Sequence, residues 1–157
     1  MIMDNAWAGD RIEVLLVKKW DTGDIRSLYR EAGWWNEEWD PAHLNILIAG
    51  SLAFAVAVDP ETGSAVAMGR AISDGTSDAY IQDLVVKSEY RESGIGRQIL
   101  TALVTSCQVR GITWIALIAE PGTEQFYVPS GFERMEGYVP MIFQGYKKGE
   151  IFHADEK

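Results

Sequence analysis

LVVKSEYRESGIGRQIL, residues 84–100, decides the fold of this 157-residue chain. Its first part is apolar and β-branched, as a buried strand is, and its last part has the apolar spacing of a helix. Between them stand Arg91, Gly94 and Gly96. Two glycines two apart at the start of a helix let the backbone turn tightly and approach a bulky group. The first N–H groups of a helix have no partner within it, and the helix dipole adds about half a positive charge there. Arg91 adds a guanidinium fork. The stretch reads as a cradle for a phosphate or pyrophosphate, or as a loop in which glycine only makes the turn. It is not a Walker loop, because no Gly-Lys-Ser/Thr follows, and the third glycine of the dinucleotide fingerprint is absent.

Outward from this stretch the chain alternates strands and helices. RIEVLLVKK (11–19) alternates as a strand does. Thr22 is placed to cap a helix whose Ile25, Leu28, Tyr29 and Ala32 share one face and which Gly33 ends. Asp40 followed by Pro41 opens a second helix over 41–50. SLAFAVAVD (51–59) and SAVAMGRAIS (64–73) are strands joined by the turn Asp59–Gly63. After a turn at Asp74-Gly75, AYIQDLVVK (79–87) is a fourth strand. A helix over roughly 95–110, stopped by Gly111, leads to the strand ITWIALIAE (112–120) and a short helix over 123–130. Residues 132–147 read as two more strands joined near Gly137. The order β-α-α-β-β-β-α-β-α-β-β describes a mixed α+β protein, one twisted sheet flanked by helices. With no repeat, linker or low-complexity tract, residues 1–157 form a single domain.

The formal charge is −9 and the pI about 4.7. Such a surface repels phosphates, so a nucleic-acid partner is not expected. It suits a cationic small molecule, or it only keeps the protein soluble. No apolar run reaches the roughly 18 residues of a membrane span. MIMDNAWAGD has no basic region ahead of an apolar stretch, so no secretory signal and a cytoplasmic location are expected. Cys107 stands alone, which excludes an intramolecular disulfide framework, and its apolar-periodic setting suits a buried structural thiol. His43 and His153 have no metal-ligand spacing, so no metal site is expected. The tail KKGEIFHADEK reads as a frayed end.

The quoted stretch resembles the acetyl-CoA signature of the GNAT superfamily of N-acetyltransferases. A second segment, FYVPSGFERM (126–135), is similar to that family's Phe-Tyr-x-x-x-Gly-Phe. The element order agrees, and the similarity is strongest over 64–135. GRAISD, AYIQDLVV and the late Pro-Met-Ile-Phe look like the small bacterial and plastid-type members, which include serotonin and other arylalkylamine acetyltransferases. The resemblance implies that Arg91, Glu92, Ser93, Gly94, Ile95, Gly96 and Arg97 hold the pyrophosphate of acetyl-CoA. It implies that Leu84, Val85 and Val86 pair their backbone with its pantetheine, like an added strand. Glu120 and Phe126 stand at further cofactor positions. A homodimer is common in the family, and nothing in the sequence locates an interface.

The reaction so implied is attack of an amine on the thioester. Only the neutral amine attacks, and for a lysine-like amine neutralisation at pH 7 costs about 4.6 kcal/mol. A base or a desolvating pocket helps, and an acid should protonate the departing thiolate. Asp83 interrupts the apolar strand YIQDLVV, where a carboxylate is costly unless paired or functional. It is the candidate base or ammonium anchor, or else a structural carboxylate paired with Arg70. Tyr127 matches the family tyrosine that faces the cofactor sulfur and is the candidate acid, or else a core aromatic.

Trp34 and Trp35, with Trp39, Glu37 and Glu38, lie where this fold covers the acceptor pocket and suit an ammonium through cation–π and charge contacts. They serve equally as core or dimer-contact aromatics with solvated acids. Arg70 and Asp74 are candidates for the pocket floor, or a local structural pair. Three departures from the family pattern stand out. Glu92-Ser93 places an acid beside the expected pyrophosphate. Glu120-Pro121 replaces a usual asparagine. Pro129 should tighten or break the last short helix. A protein acetyltransferase and a CoA-binding sensor without turnover are the other readings.

Overall fold

The computed structural model describes residues 11–145. MIMDNAWAGD and the tail with His153 lie outside the described residues. The chain runs β1 (Glu13–Leu16), α1 (Thr22–Glu31), α2 (His43–Gly50), β2 (Ala53–Val58), β3 (Ala65–Ser73), β4 (Asp78–Val86), α3 (Ile95–Gln108), β5 (Trp114–Ala116) and α4 (Glu124–Tyr127). The five strands form one sheet in the order β1-β2-β3-β4-β5. β1 to β4 are an antiparallel meander, and β5 joins β4 in parallel after the α3 crossover.

Two apolar layers hold the sheet between helices. On one face Ala53, Ala55, Ala57, Ala67, Ala71, Ala79 and Ile81 pack against Ile99, Leu100 and Leu103 of α3. On the other, Phe54, Val56, Met68 and Val85 pack against Ile25 and Leu28 of α1 and Leu44 and Ile48 of α2. Ile25 and Leu28 are fully buried, and such side chains stabilise by about 1.5–3 kcal/mol each. Small alanines on the sheet let α3 approach closely. At Gly69 the approach is closest, since a Cβ there would lie 2.9 Å from Ile99, 3.0 Å from Leu103 and 3.2 Å from Leu84. Gly69→Ala should therefore destabilise the fold by about 1–3 kcal/mol. Urea unfolding measures this, and an unchanged midpoint would mean that the α3 side chains move aside freely.

The caps differ in detail from the sequence reading. Asp21, not Thr22, caps α1, accepting a bond from the Asp24 N–H at 2.9 Å. Asp40 accepts from the Ala42 N–H at 2.9 Å, so residues 40–42 make a turn and α2 begins at His43. Pro129 falls in a 3-10 turn, Val128–Ser130, that ends α4 tightly, as expected. The fifth strand is only Trp114–Ala116.

The two strands expected over 132–147 do not form in the described part of that segment. Strands need a partner for their N–H and C=O groups. Pro140 has no N–H, Gly137 turns the chain at φ 79°, and Tyr138, Val139, Met141 and Ile142 are exposed.

One irregularity in the sheet positions the site. Met68 lies opposite Val85 and Arg70 opposite Gln82. Gly69 on β3 thus faces two residues, Asp83 and Leu84, on β4. This is a β-bulge, and its first residue, Asp83, takes φ 57°, a left-handed conformation unusual for a non-glycine residue.

Candidate active site

The bulge turns the Asp83 carboxylate onto the α1 side of the sheet. There its Oδ2 accepts two bonds, from Tyr29 Oη at 2.8 Å and from Arg70 Nε at 2.6 Å. Asp83 and Arg70 are mostly buried, with side chains 22% and 18% exposed. The sequence alternative of a pair with Arg70 is therefore real, and it coexists with an exposed edge of the carboxylate. Burial, and then the Asp83 charge, push the Tyr29 phenol far above its ordinary value, so it stays a donor. Tyr29 reads from sequence only as part of the apolar face of α1, and its hydroxyl is the feature that periodicity misses.

Asp83 stands where two cavities meet. The first, about 410 Å³, is walled by Tyr29, Trp34, Trp35, Trp39, Leu44 and Leu47, with Asp40, His43, Arg70 and Asp83. Trp35 and Trp39 meet edge to face, 5.6 Å between centroids. Trp34, Trp35 and Arg70 thus line one cavity. Glu37 does not line this cavity. It is clamped by Arg30 through bonds of 2.7 and 2.6 Å, which hold its carboxyl below the usual range.

Asp74 lies elsewhere, in the turn joining β3 to β4. It accepts bonds from the Thr76 and Ser77 N–H groups and the Ser77 hydroxyl, each 2.8 Å, and these hold its carboxyl below the usual range. Its carboxylate is committed to the turn, and it borders neither cavity.

The second cavity, about 350 Å³, opens between β4 and the chain leaving β5. The two strands pair only through Asp78, Ala79 and Tyr80. From Ile81 onward β4 diverges from β5, with Ile81, Gln82, Asp83 and Leu84 on one side and Leu117, Ile118 and Glu120 on the other. Of the predicted backbone trio, Leu84 lies beside this gap, Val85 is buried under α1 and α2, and Val86 packs toward α3.

Tyr127 forms the far wall, packed edge to face on Phe126 at 5.0 Å and Phe132 at 6.0 Å. Burial first, then Glu120, raise its phenol above the ordinary value near 10. Glu120 accepts a bond from Trp34 Nε1 at 3.0 Å. The loop after α1 is thereby strapped to the chain after β5 beside the second cavity, which both residues line.

The loop before α3 fits an anionic group. Gly94 is the cap of α3 at φ 82°, and no side chain bonds to the first N–H groups of that helix. A Cβ at Gly94 would meet nothing within 4 Å, so the space above the helix start is open. Gly96 is needed for a different reason, because a Cβ there would lie 3.1 and 3.3 Å from the Phe126 ring. Phe126 thus enters the site by packing against the helix start.

Arg91 is turned toward the body of the protein. Its Nε donates to the Val86 carbonyl at 2.9 Å, and Nη2 lies 3.7 Å from Glu31. Glu31 also accepts from the Ser88 N–H at 2.9 Å. Glu92 takes φ 61° and is exposed, which lets its acid side chain sit in water. The Ser93 hydroxyl donates to the Tyr90 carbonyl and so ties the loop. Ile95 is buried, and Arg97 is exposed on the first turn of α3.

Among the described residues, no group of three or more His, Cys, Asp or Glu side chains is arranged to hold a metal. No described helix is long and apolar enough to cross a membrane.

Known proteins are similar to this chain in sequence and fold. The chain is 33% identical over 105 residues to GCN5-related N-acetyltransferase 1, chloroplastic, of Arabidopsis thaliana, covering 66% of this chain and 53% of that protein. It is 39% identical over 70 residues to serotonin N-acetyltransferase 2, chloroplastic, of Oryza sativa subsp. japonica, covering 45% of this chain and 35% of that protein. The chain thus spans about half, or less, of the length of these relatives. A GNAT-family acetyltransferase from Streptococcus pneumoniae superposes with a TM-score of 0.72 at 25% identity, over 87% of this chain and 99% of that one. Residues 29–144 match the acetyltransferase (GNAT) domain, and with that match, over a sheet that splays beside an uncapped helix start, the chain belongs to the GNAT acetyltransferases.

Proposed function

We propose that this protein acetylates the nitrogen of a small primary amine, with acetyl-CoA as the donor. The observation that carries this reading is the place of Asp83. It lies at the junction of an aromatic cavity and the gap beside β4, with Tyr127 across that gap. An acceptor in the first cavity and a thioester in the second would meet at this carboxylate. The enclosing tryptophans favour a small molecule over a protein segment, which needs an open groove.

Acetyl-CoA supplies an acetyl group activated as a thioester. The residues fitted to hold it are the N–H groups at the start of α3, the glycines 94 and 96, and the unpaired edge of β4 beyond Tyr80. In the reaction a C–N bond forms as the C–S bond breaks. Starting from the ammonium, two protons leave the nitrogen, one before the attack and one after the C–N bond forms; the sulfur takes up one proton and the other is released to solvent. Asp83 binds the ammonium and accepts the nitrogen's proton through its open oxygen, Oδ1. Tyr127 holds a proton for the sulfur, and its raised phenol keeps that proton through neutral and mildly alkaline pH.

Tyr127→Phe should lower kcat about 100-fold or more, with acetyl-CoA affinity within a few-fold of the parent. Because burial raises the phenol from its ordinary value, its loss of a proton should not limit kcat at neutral or mildly alkaline pH. Steady-state rates from pH 6 to 10 and calorimetric titration check both points, and equal rates in the two proteins would remove Tyr127 from the mechanism.

The reading as a whole is tested by thiol release from acetyl-CoA against arylalkylamines, polyamines, amino acids, aminoglycosides and a lysine peptide. Acetylation of a small amine supports it. Acetylation of the peptide alone, or tight acetyl-CoA binding with no acceptor, overturns it. The rice relative's name points to serotonin, so the arylalkylamines come first in that panel.

A further inference from the structure

The aromatic cavity contains a cation as well as an anion. Arg70 borders this cavity and not the neighbouring one. It gives Nε to Asp83 Oδ2, and Tyr29 donates to that same oxygen. Two groups are left over by this arrangement. Oδ1 of Asp83 accepts no bond from the described residues, and the Arg70 guanidinium, whose other near neighbour is the Tyr29 hydroxyl, donates to no further carboxylate or carbonyl among them. The Arg70 side chain is mostly buried, 18% exposed, and what it exposes borders the cavity.

We propose that the acceptor is an α-amino acid with an apolar or aromatic side chain, its carboxylate bound by the terminal amino groups of Arg70 and its amine held at Asp83 Oδ1. This rests on the acetyltransferase reading above and names the substrate class of that site.

Charge supports the choice. Asp83 and Arg70 partly neutralise each other, so a plain ammonium at Oδ1 is attracted less strongly than by a lone carboxylate and meets the guanidinium as a like charge. A zwitterion presents both signs. Its ammonium and carboxylate hang on one carbon, and the protein's carboxylate and guanidinium are themselves in direct contact, so the two short dipoles match in opposite order. Guanidinium is the side chain best shaped to take a carboxylate by two parallel bonds.

Size and lining support the rest. A cavity of about 410 Å³ is near the small end for ligand sites. Beyond the charged pair its walls are Trp34, Trp35, Trp39, Leu44 and Leu47, which suit an apolar side chain. Asp40 and His43, at the start of α2, also line the same cavity.

The experiment uses twins that differ only in the carboxylate: tryptophan against tryptamine, and phenylalanine against phenethylamine. kcat/KM for each is measured by thiol release with the full chain, Arg70→Gln and Arg70→Lys. The parent should prefer each amino acid over its amine by about 10- to 100-fold. That preference ratio should collapse in Arg70→Gln and return in part in Arg70→Lys. Both twins depend equally on Asp83, so the ratio cancels any damage done to it.

A second readout is calorimetric binding of tryptophan to the protein saturated with CoA, which should be lost in Arg70→Gln while the thermal midpoint shows the variant folded. Acetylation of the amines at equal or greater kcat/KM than the amino acids overturns this proposal and leaves the acetyltransferase reading standing. A ratio unmoved by Arg70→Gln also overturns it. Acetylation of no amine of either kind overturns both.

Discussion

Asp83→Asn should abolish most of the activity while leaving the protein folded and able to bind acetyl-CoA. kcat/KM is expected to fall about 10²- to 10⁴-fold, the usual contribution of a positioned acid or base. Asparagine has the size of aspartate and tolerates the left-handed φ of 57° found at this bulge. Its carbonyl oxygen still accepts from Tyr29 and Arg70, so the bonds that hold the bulge against α1 survive. The charge and the proton-accepting oxygen do not.

Asp83→Ala should behave differently, because it strands the mostly buried Arg70 guanidinium without a partner. Breaking a buried pair in this way costs up to about 3–5 kcal/mol, and partial exposure reduces that figure. Comparing the two variants by thiol release and urea unfolding separates chemistry from stability. An asparagine variant within threefold of the parent rate would show that Asp83 is only structural.

Gly96→Val should reduce acetyl-CoA affinity by at least about 100-fold, or roughly 2.7 kcal/mol. The first carbon of the new side chain would already sit 3.1 Å from Phe126 and 3.4 Å from Val86. The two further methyl groups must push Phe126 aside. Phe126 precedes Tyr127 in α4, and the first turn of α3 is the base of the anion site, so one clash disturbs both. Pairing the change with Phe126→Ala should restore part of the affinity by removing the ring. Gly94→Ala is the contrasting case. It strains a backbone at φ 82° by about 1–2 kcal/mol but points its methyl group into open space. Calorimetric titration of the four proteins checks this. Unchanged affinity in Gly96→Val would place the cofactor elsewhere.

What was legible in the sequence follows the reach of each interaction. The meander, α1 and α3 were legible because alternating and helical apolar spacing report burial directly, as at Phe54, Val56 and Ile99. The glycines of the α3 loop were legible because backbone geometry restricts the residues allowed there. Bonds that span tens of residues left no local mark. Tyr29 looks like any buried aromatic until Asp83, 54 residues on, meets its hydroxyl. The strap from Trp34 to Glu120 joins residues 86 apart.

Other positions were legible in type but not in use. Asp74 was marked as polar and near the site, yet three neighbouring donors claim it, which no count of spacing weighs. Arg91 stands at the position the motif marks, and its engagement with Val86 and Glu31 depends on where the end of α1 falls. Residues 132–145 carry the composition of strands, but composition does not supply the edge that a strand must pair with.

The bulge in β4 also bears on how this fold and its chemistry are joined. Along the strand, Ala79 and Ile81 pack toward α3, and so do Leu84 and Val86, while Val85 packs toward α1 and α2. Those even and odd positions cannot share a side in an unbroken strand, because neighbours alternate. Strike out Asp83 and the count comes right: Ile81, Leu84 and Val86 fall on one side, Gln82 and Val85 on the other, opposite Arg70 and Met68. The proposed catalytic carboxylate is therefore a supernumerary residue, added to a strand whose core positions are complete without it. The apolar packing of the strand does not choose the side chain there; the left-handed backbone, Tyr29, Arg70 and whatever enters the two cavities do.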